Sequence, residues 1–382
     1  MSHSSFETKV VHNKVDQETI SNSKSTPIYQ TSAFTFKDLS HLESYYEGNS
    51  PYLYSRERNP NTDELGDSIA RLEGAEAGAA TSSGMSAILA GILAIAGSGD
   101  HIVAAEDLYG GTHHLISKEL ETFGIEVSMV SFSNLQEVED SIKPHTKLLY
   151  TESITNPFLR VEDLQGLVKL ANKYQLSTMV DNTFATPYLL NPCEAGVDLV
   201  VHSATKYIGG HSDVTAGVLA GKEEIIKRAV KKVSAFGANL SPFEAWLAQR
   251  GAKTLALRMK QQSQNAECLA KSFRSNPHVK HVYYPEFVSE NGHGAIVTIE
   301  LKKSVDIERF FQCLGWVKIA PTLAGVETTV SYPLTTSHRS LTDEQRAKVG
   351  INKYVVRLSI GIEDADDIIE QFREAIEESL GE

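Results

Sequence analysis

Short apolar runs alternate with longer amphipathic stretches through the first half of the chain. From about residue 100 to residue 221, the runs typical of buried strands are HIVAA, EVSMVSF, KLLYTES, STMVDNT, LVVHS and AGVLAG. Stretches between them, such as GGTHHLISKELETFG and LQGLVKLANKYQ, have helical spacing, and two further helices are predicted before them over NTDELGDSIARLEGAEAG and MSAILAGILAIAGSG. Strands that alternate with helices predict a mostly parallel sheet that helices cover.

The two ends of the chain have different patterns. Beyond about residue 240, a long helical stretch precedes two apolar runs, GAIVTIEL and YVVRLSIG, and a closing amphipathic helix, DADDIIEQFREAIEESL. The first sixty residues have little periodicity and several turn formers, which predicts an extended arm that needs a surface to lie on. We therefore expect an arm at residues 1–56, a large α/β domain at residues 57–245 and a smaller α+β domain at residues 246–382.

Charge and composition exclude several classes of function. The chain has 382 residues and a formal net charge of -13 at pH 7, which argues against a nucleic-acid or anionic-membrane partner. No apolar run approaches the roughly 20 residues that span a bilayer, and the first residues lack the apolar core of a signal peptide, so we expect a cytoplasmic protein. The three cysteines form no CxxC pair and the histidines have no HxxxH or HExxH spacing, so we expect no metal site.

Polar side chains follow several of the predicted strands at the point where each strand ends. In open α/β sheets, ligands bind where the strands run into loops at their carboxyl ends. The candidate residues at such ends are Glu152, Asn156, Asp181, Ser203, Thr205 and Lys206. Their convergence predicts a binding site at this edge of the sheet.

The chemistry of these side chains favours an aldehyde cofactor. Lys206 ends an apolar run and precedes a pair of glycines, an unusual place for a surface lysine, and its amine suits covalent attachment to pyridoxal phosphate (PLP). Asp181 provides a carboxylate for the ring nitrogen. The segment TSSGMSAI places free N–H groups at the start of an apolar helix, where a phosphate binds. Taken alone, Asp181 equally fits a turn cap, and SSGM an ordinary helix cap.

Six motifs in order along the chain closely resemble those of the trans-sulfuration family of PLP enzymes. They are YSRERNP, SSGMSAI, DLYGGT, VDNTFATPY, VHSATKYIGGHSD and VRLSIGIED, and the resemblance extends from TPIYQTSAF to the final helix. It implies PLP fold type I, with a mixed, mostly parallel seven-stranded sheet and a smaller C-terminal domain. It also implies a homotetramer, built as a dimer of dimers, whose active sites lie at the dimer interface and receive the N-terminal arm of the neighbouring subunit.

The resemblance implies roles for the matching residues around the cofactor. Lys206 would bond to PLP and then, as a free amine, move protons on the substrate, while Tyr109 would stack on the ring as the second catalytic residue. Asp181 would pair with the ring nitrogen and Asn156 would lie near the ring hydroxyl. The phosphate contacts would come from Gly84, Met85, Ser203 and Thr205, and from Tyr54 and Arg56 of the neighbouring subunit.

Substrate contacts are also implied, and here the chain departs from its relatives. Arg357 would bind the α-carboxylate with its two-pronged guanidinium. Glu327 and Thr328 of AGVET, together with His114, would contact the rest of the substrate. Typical cystathionine γ-lyases and γ-synthases have an arginine where this chain has His114, and often an acid in place of Leu53. Both differences weaken the grip on a long, doubly charged substrate.

Other positions separate the chain from methionine γ-lyases. These enzymes commonly have a cysteine where this chain has Gly111, and a Lys-Asp pair where it has Val233 and Ser234. The loop from Phe287 to Gly294 is also shorter than in most relatives.

Three functions are compatible with these patterns. The first is a PLP-dependent carbon–sulfur lyase that acts on a small sulfur amino acid, such as cystathionine or homocysteine, by γ-elimination and releases a thiol, ammonia and a 2-oxo acid. The second is a transferase, either a cystathionine γ-synthase or an O-acylhomoserine sulfhydrylase, with cystathionine β-lyase as a further alternative. The third, a regulator without catalysis, is disfavoured because Lys206, Asp181, Tyr109 and Arg357 are all present.

Overall fold

The computed structural model describes residues 4–12, 23–49, 51–336 and 350–381, together with Arg339, Glu344 and Arg346. Its larger sheet has seven strands in the order β1-β7-β6-β5-β4-β2-β3. They are β1 (Ala77–Thr81), β2 (His101–Ala105), β3 (Glu126–Val130), β4 (Thr146–Glu152), β5 (Ser177–Asp181), β6 (Leu199–His202) and β7 (Gly217–Gly221). Strands β3, β2, β4, β5 and β6 run parallel, while β7 is antiparallel to both β6 and β1. The predicted mixed, mostly parallel sheet is confirmed.

One strand of this sheet has no apolar run that would predict it. Strand β1 has the sequence AGAAT, and small residues without β-branching carry little strand propensity. It pairs with β7 from Ala77 opposite Gly221 to Thr81 opposite Gly217. A Cβ on Gly66 would lie 2.9 Å from the Cα of Ala79, so glycine allows the preceding helix to approach the strand closely. Packing therefore decides this strand, rather than local sequence.

Helices cover the large sheet and connect its strands, and the first two helices of the chain belong to the N-terminal arm. They are α1 (Phe6–Val11), α2 (Leu39–Tyr46), α3 (Pro60–Glu73), α4 (Gly84–Ile95), α5 (Gly110–His114), α6 (Leu120–Thr122), α7 (Leu135–Asp140), α8 (Leu164–Tyr174), α9 (Thr186–Leu189) and α10 (Glu223–Phe236). A π-helical turn, Leu115–Glu119, joins α5 to α6, so the predicted helical stretch is continuous. Helix α4 buries residues such as Ala87, Ile88 and Ile92 in the main core beside strands β2, β4, β5 and β6.

The C-terminal part of the chain forms a second sheet of five strands in the order β10-β11-β12-β9-β8. They are β8 (Val279–Tyr283), β9 (Ile296–Leu301), β10 (Lys318–Ile319), β11 (Thr329–Ser331) and β12 (Val355–Ser359). Its helices are α11 (Pro242–Ala252), α12 (Leu255–Ser275), α13 (Ile307–Gln312) and α14 (Ala365–Glu378). The predicted long helical stretch is thus two helices. The Arg258 guanidinium donates to the Gly251 carbonyl at 2.9 Å. It thereby provides a hydrogen-bond partner for a carbonyl at the end of α11, where the last carbonyls have none within the helix.

The N-terminal arm lies partly on its own chain. The Asn61 amide of α3 donates to the Pro27 carbonyl at 2.9 Å, and the Trp246 indole of α11 donates to the Thr26 carbonyl at 3.0 Å. Further along, α2 buries none of its residues. Strands of the larger sheet lie within residues 57–245 and strands of the smaller sheet within residues 246–382. The domain boundaries themselves stay a prediction.

Within the part of the chain that the structure describes, no helix is both long enough and apolar enough to cross a membrane.

Candidate active site

The carboxyl ends of β4, β5 and β6 open into a cavity of about 370 Å³. Because these strands are parallel neighbours, their ends meet at one edge of the sheet. Ten of the predicted site residues line the cavity: Gly84, Met85, Tyr109, Glu152, Asn156, Asp181, Ser203, Thr205, Lys206 and Arg357. They come from segments spread over more than two thirds of the chain.

Lys206 lies in the turn after β6, with its amine inside the cavity. The backbone N–H of Lys206 donates to the Ser203 carbonyl at 3.0 Å, and that of Gly210 donates to the Lys206 carbonyl at 2.7 Å, which holds the turn. The Lys206 amine donates to the Thr322 hydroxyl at 3.2 Å. Burial, with a smaller contribution from the positive charge of Arg357, lowers the pKa of Lys206 to about 8. A large fraction of this amine is therefore neutral, and nucleophilic, in mildly alkaline solution.

Two carboxyl groups lie side by side at the ends of β4 and β5, that of Glu152 buried and that of Asp181 half-buried. Glu152 and Asp181 are paired across these strands, and both line the cavity. Burial raises the pKa of Asp181, and burial together with the charge of Asp181 raises that of Glu152 well above its usual range. Asp181 accepts a hydrogen bond from the Thr183 backbone N–H at 2.9 Å. A cationic ring nitrogen next to Asp181 would relieve the cost of ionising it, so this pair fits the pyridine end of PLP.

The start of α4 fits the phosphate end of the cofactor. The Ser83 hydroxyl caps the helix by accepting from the Ser86 N–H at 3.1 Å, while the first N–H groups of a helix, here including those of Gly84 and Met85, have no partner within it. A Cβ on Gly84 would lie 2.8 Å from the Ser203 Cβ, so only glycine lets the two segments approach this closely. The Thr205 hydroxyl is shared with the backbone of Ala216, which fixes its position at the same end.

Arg357 projects from β12 of the smaller sheet into the cavity. It is 4% exposed, and its Nη1 donates to the Asn156 side-chain oxygen at 3.1 Å. Burial lowers the pKa of this guanidinium to about 10, and its Nε has no partner among the described residues. A buried cation with an unused donor fits a carboxylate ligand, which would satisfy both the charge and the free N–H.

Tyr109 follows β2 and lines the cavity with a half-exposed ring. Its backbone N–H donates to Glu152 Oε1 at 2.7 Å, which ties this loop to the end of β4. A Cβ at position 111 would lie 2.7 Å from the Tyr109 Cε1. Gly111 therefore leaves the space that the ring occupies, and any side chain at this position would compete for it.

Five of the predicted site residues do not line the cavity of a single chain. Arg56 donates from Nη1 to the carbonyl and the hydroxyl of Ser234, both at 3.2 Å, and its guanidinium lies 5.7 Å from the Tyr54 ring centroid. His114 is exposed, with its Nε2 3.3 Å from a Glu119 carboxylate oxygen. The predicted contacts of Tyr54, Arg56 and His114 stay a prediction.

Glu327 and Thr328 lie next to β11, outside the cavity wall. The Glu327 carboxylate pairs with the Lys318 amine at 2.7 Å, and both side chains are exposed. Thr328 is buried, and its hydroxyl donates to Glu363 at 2.8 Å and accepts from the Gly361 N–H at 3.0 Å. With its hydroxyl engaged in this way, Thr328 holds the end of β12 to the loop before β11, and substrate binding by either residue stays a prediction.

Several cavity residues had no predicted role. Ser83 and Thr183 adjoin predicted residues, so their place in the motifs was the available signal. Phe184, Pro321, Thr322 and Leu323 also line the cavity. The last three belong to a loop of the smaller domain, which no strand-end pattern connects with Lys206.

The fold and the residues gathered in this cavity define an enzyme of PLP fold type I. Over residues 7–377, the chain matches the model of the Cys/Met metabolism PLP-dependent enzyme family, and it belongs to that family. Its cofactor is therefore PLP, as the sequence predicts, and the predicted trans-sulfuration relationship is confirmed.

Comparison with individual proteins gives the same family. Cystathionine beta-lyase MetC of Bacillus subtilis (strain 168) is 39% identical over 384 residues, which cover 98% of this chain and 96% of that protein. Among solved structures, the cystathionine gamma-lyase of Lactobacillus plantarum complexed with L-serine has a TM-score of 0.92 at 34% identity, covering 98% of this chain and 99% of that one. A putative O-acetylhomoserine (thiol)-lyase of Campylobacter jejuni, which carries a pyridoxyl-lysine phosphate, has a TM-score of 0.94 at 30% identity, covering 98% and 100%.

Proposed function

We propose that the protein is a PLP-dependent carbon–sulfur lyase that cleaves a small sulfur amino acid, such as cystathionine or homocysteine, into a thiol, ammonia and a 2-oxo acid. The observation that carries the proposal is the single cavity that holds the Lys206 amine, the Asp181 carboxylate and the buried Arg357 guanidinium together. The names of the similar proteins, two of which are lyases of cystathionine, support it.

Each of these side chains has a task in this reaction. When bound at Lys206 and Asp181, PLP supplies an electron sink for the charge that develops at the substrate Cα. Arg357 binds the α-carboxylate and so fixes which bond of Cα faces Lys206. The Lys206 amine, whose pKa of about 8 suits a general base, takes the proton from Cα and exchanges protons at Cβ. Thr322 accepts from this amine at 3.2 Å and orients it.

The assay that tests this proposal needs single amino acids only. Cystathionine, homocysteine, methionine and cysteine are offered one at a time, and thiol, ammonia and 2-oxo acid are measured. We expect 2-oxo acid from at least one of them without a second substrate. Cystathionine cleaved on the γ side yields cysteine and 2-oxobutyrate, and cleaved on the β side yields homocysteine and pyruvate. Turnover that requires an acylated homoserine together with a thiol would contradict the lyase proposal.

Two alternatives have specific support. The similarity to a cystathionine beta-lyase favours β-elimination, and the similarity to a putative O-acetylhomoserine (thiol)-lyase favours replacement of an acyl group. Analysis of the products of cystathionine and of the need for a second substrate separates both alternatives from γ-elimination.

We further propose a homotetramer, a dimer of dimers, in which Tyr54 and Arg56 of one subunit contact the cofactor phosphate of another. Tyr54 is exposed in the single chain, and α2 buries none of its residues, which supports a partner surface for this arm. A cytoplasmic location is also proposed.

A further inference from the structure

A buried carboxylate lies beneath the candidate cofactor site, on the other side of the strand ends that line it. Glu73 is the last residue of α3 and is fully buried. A carboxylate there is costly, since it is removed from water and faces the negative end of its own helix dipole. A buried carboxylate is therefore expected only where its hydrogen bonds hold other groups in place, which an apolar side chain could not do.

The Glu73 carboxylate is the hub of a small network. Its Oε1 accepts from the His202 Nε2 at 2.7 Å and from the Asn182 amide at 2.9 Å. The Asn182 side-chain oxygen in turn accepts from the Ser153 hydroxyl at 2.8 Å, and all four side chains are buried. The Asn182 amide nitrogen also donates to the Leu190 carbonyl at 2.9 Å.

Each strand-end member of this network adjoins a residue of the cavity wall. Ser153 follows Glu152, Asn182 follows Asp181, and His202 precedes Ser203, at the ends of the neighbouring strands β4, β5 and β6. Successive side chains of a strand point to opposite faces of the sheet, so one member of each pair turns to the cavity and the other to the network around Glu73.

We propose that Glu73 is a positioning residue, which ties the ends of β4, β5 and β6 together from behind and thereby holds Asp181 and Ser203 in place for the cofactor. The inference rests on the proposed placing of PLP against these two residues. The Asp181 carboxylate accepts from the Thr183 backbone N–H at 2.9 Å, and the Thr183 hydroxyl accepts from the Ser203 N–H at 2.8 Å, so a shift of either strand end moves both Asp181 and Ser203.

The test replaces Glu73 by residues of similar length in the full-length protein. Glu73→Met removes the shared acceptor, and we expect the Kd for PLP, measured by titration of the cofactor-free protein, to rise about tenfold, because buried donors then lose their partner. The visible circular dichroism per bound PLP, which reports how the ring is held, is expected to change as well. Glu73→Gln keeps an acceptor oxygen and is expected to stay within about threefold of wild type.

Ile69→Ala is the matched control for a loss of stability alone. Ile69 is fully buried on the same helix and takes no part in the network, so this variant is expected to lower Tm and to leave the Kd and the dichroism unchanged. If Glu73→Met behaves like Ile69→Ala, with lower Tm but wild-type Kd and dichroism, the positioning role is overturned.

Two further variants keep the result decisive. If Glu73→Met does not fold, Ser153→Ala at the edge of the network takes its place. A rise of about two- to fivefold in the Kd of Ser153→Ala for PLP supports the proposal, and a Kd equal to that of wild type overturns it. Asp181→Asn distinguishes a failure of this inference from a failure of the proposed cofactor placement. An unchanged Kd for PLP in Asp181→Asn overturns the proposed placement of the cofactor. If PLP affinity falls in Asp181→Asn but not in Glu73→Met, only the role of Glu73 is overturned.

Discussion

At the scale of single residues, the environment of Lys206 determines when its amine is reactive. Burial disfavours the ammonium form and brings the pKa from 10.5 to about 8, and the Arg357 charge adds to this shift. The rate at which the cofactor-free protein attaches PLP is therefore expected to rise with pH around a midpoint near 8, as followed by stopped-flow absorbance. In Arg357→Met the loss of the positive charge moves the midpoint upward. A midpoint near that of a free lysine in both proteins would contradict this account.

The same shift has a consequence for the stability of the cofactor-free protein. The folded-state pKa of Lys206 lies below the unfolded value, so between pH of about 8 and 10.5 the unfolded chain binds more protons at this group. The cost of burying the ammonium is thus fully present below pH 8 and is relieved as pH rises through this window. In Lys206→Met this contribution is absent, and the free energy of unfolding, measured with denaturant, should rise less across the window than in wild type.

His114 is the residue at which substrate selectivity can be probed. An arginine there would offer two charge-assisted hydrogen bonds to a distal carboxylate, whereas the exposed imidazole of His114 faces Glu119. We expect His114→Arg to lower KM for cystathionine about tenfold and that for homocysteine much less, with the bound-PLP spectrum unchanged. His114→Gln, without a charge, is the control and should leave both KM values near wild type. Equal effects on the two substrates would show that other residues contact the distal end.

At the scale of elements, helix α12 joins the smaller sheet to the loop that carries Thr322. The Gln262 amide donates to the Gly325 carbonyl at 2.8 Å and to the Ile360 carbonyl at 3.0 Å, and one turn on, the Asn265 amide donates to the Glu363 carbonyl at 2.7 Å. One face of α12 therefore holds both the loop before β11 and the end of β12, the strand of Arg357. We therefore expect the position of the Thr322 hydroxyl at Lys206 to depend on this connection.

Gln262→Leu tests the role of that helix face. It leaves two buried carbonyls without their donor, each at a cost of about 1–3 kcal/mol, so we expect the free energy of unfolding to fall by at least about 2 kcal/mol. We also expect kcat to fall, since Thr322 loses its support. Gln264→Leu makes the same change at an exposed position of the same helix and should leave both quantities near wild type. A Gln262→Leu protein as stable as this control would contradict the role assigned to the amide.

At the scale of the whole molecule, the proposed shared site leads to a mixing experiment. Arg56→Ala and Lys206→Ala chains are each expected to be inactive, because one lacks the phosphate contact for its neighbour and the other lacks the reactive amine. A mixed dimer contains one site with both residues intact, so subunit exchange should restore part of the activity, measured as 2-oxo acid release. Parents that stay inactive after exchange, verified by native mass spectrometry, would argue against a site built from two chains.

The sequence by itself determined much of this protein. Short apolar runs that end in polar residues are local features, and they predicted the strands that end at Asp181 and just before Lys206; the structure places both residues in one cavity with Gly84 and Tyr109. The ordered motifs indicated the family and its cofactor, which the family match confirms. Such inferences succeed because a short apolar run and the chemistry of a lysine at its end depend on a few neighbouring residues.

Only the tertiary structure decided the rest. Strand β1 forms although its alanines and glycine have little strand propensity, because β7 and α3 offer a close-packed place for it. Thr322 meets Lys206 across 116 positions of sequence, and Glu73 meets His202 across 129. Contacts of this kind depend on how sheets and helices pack, and neither hydrophobic period nor motif spacing records which distant residues that packing brings within hydrogen-bond distance.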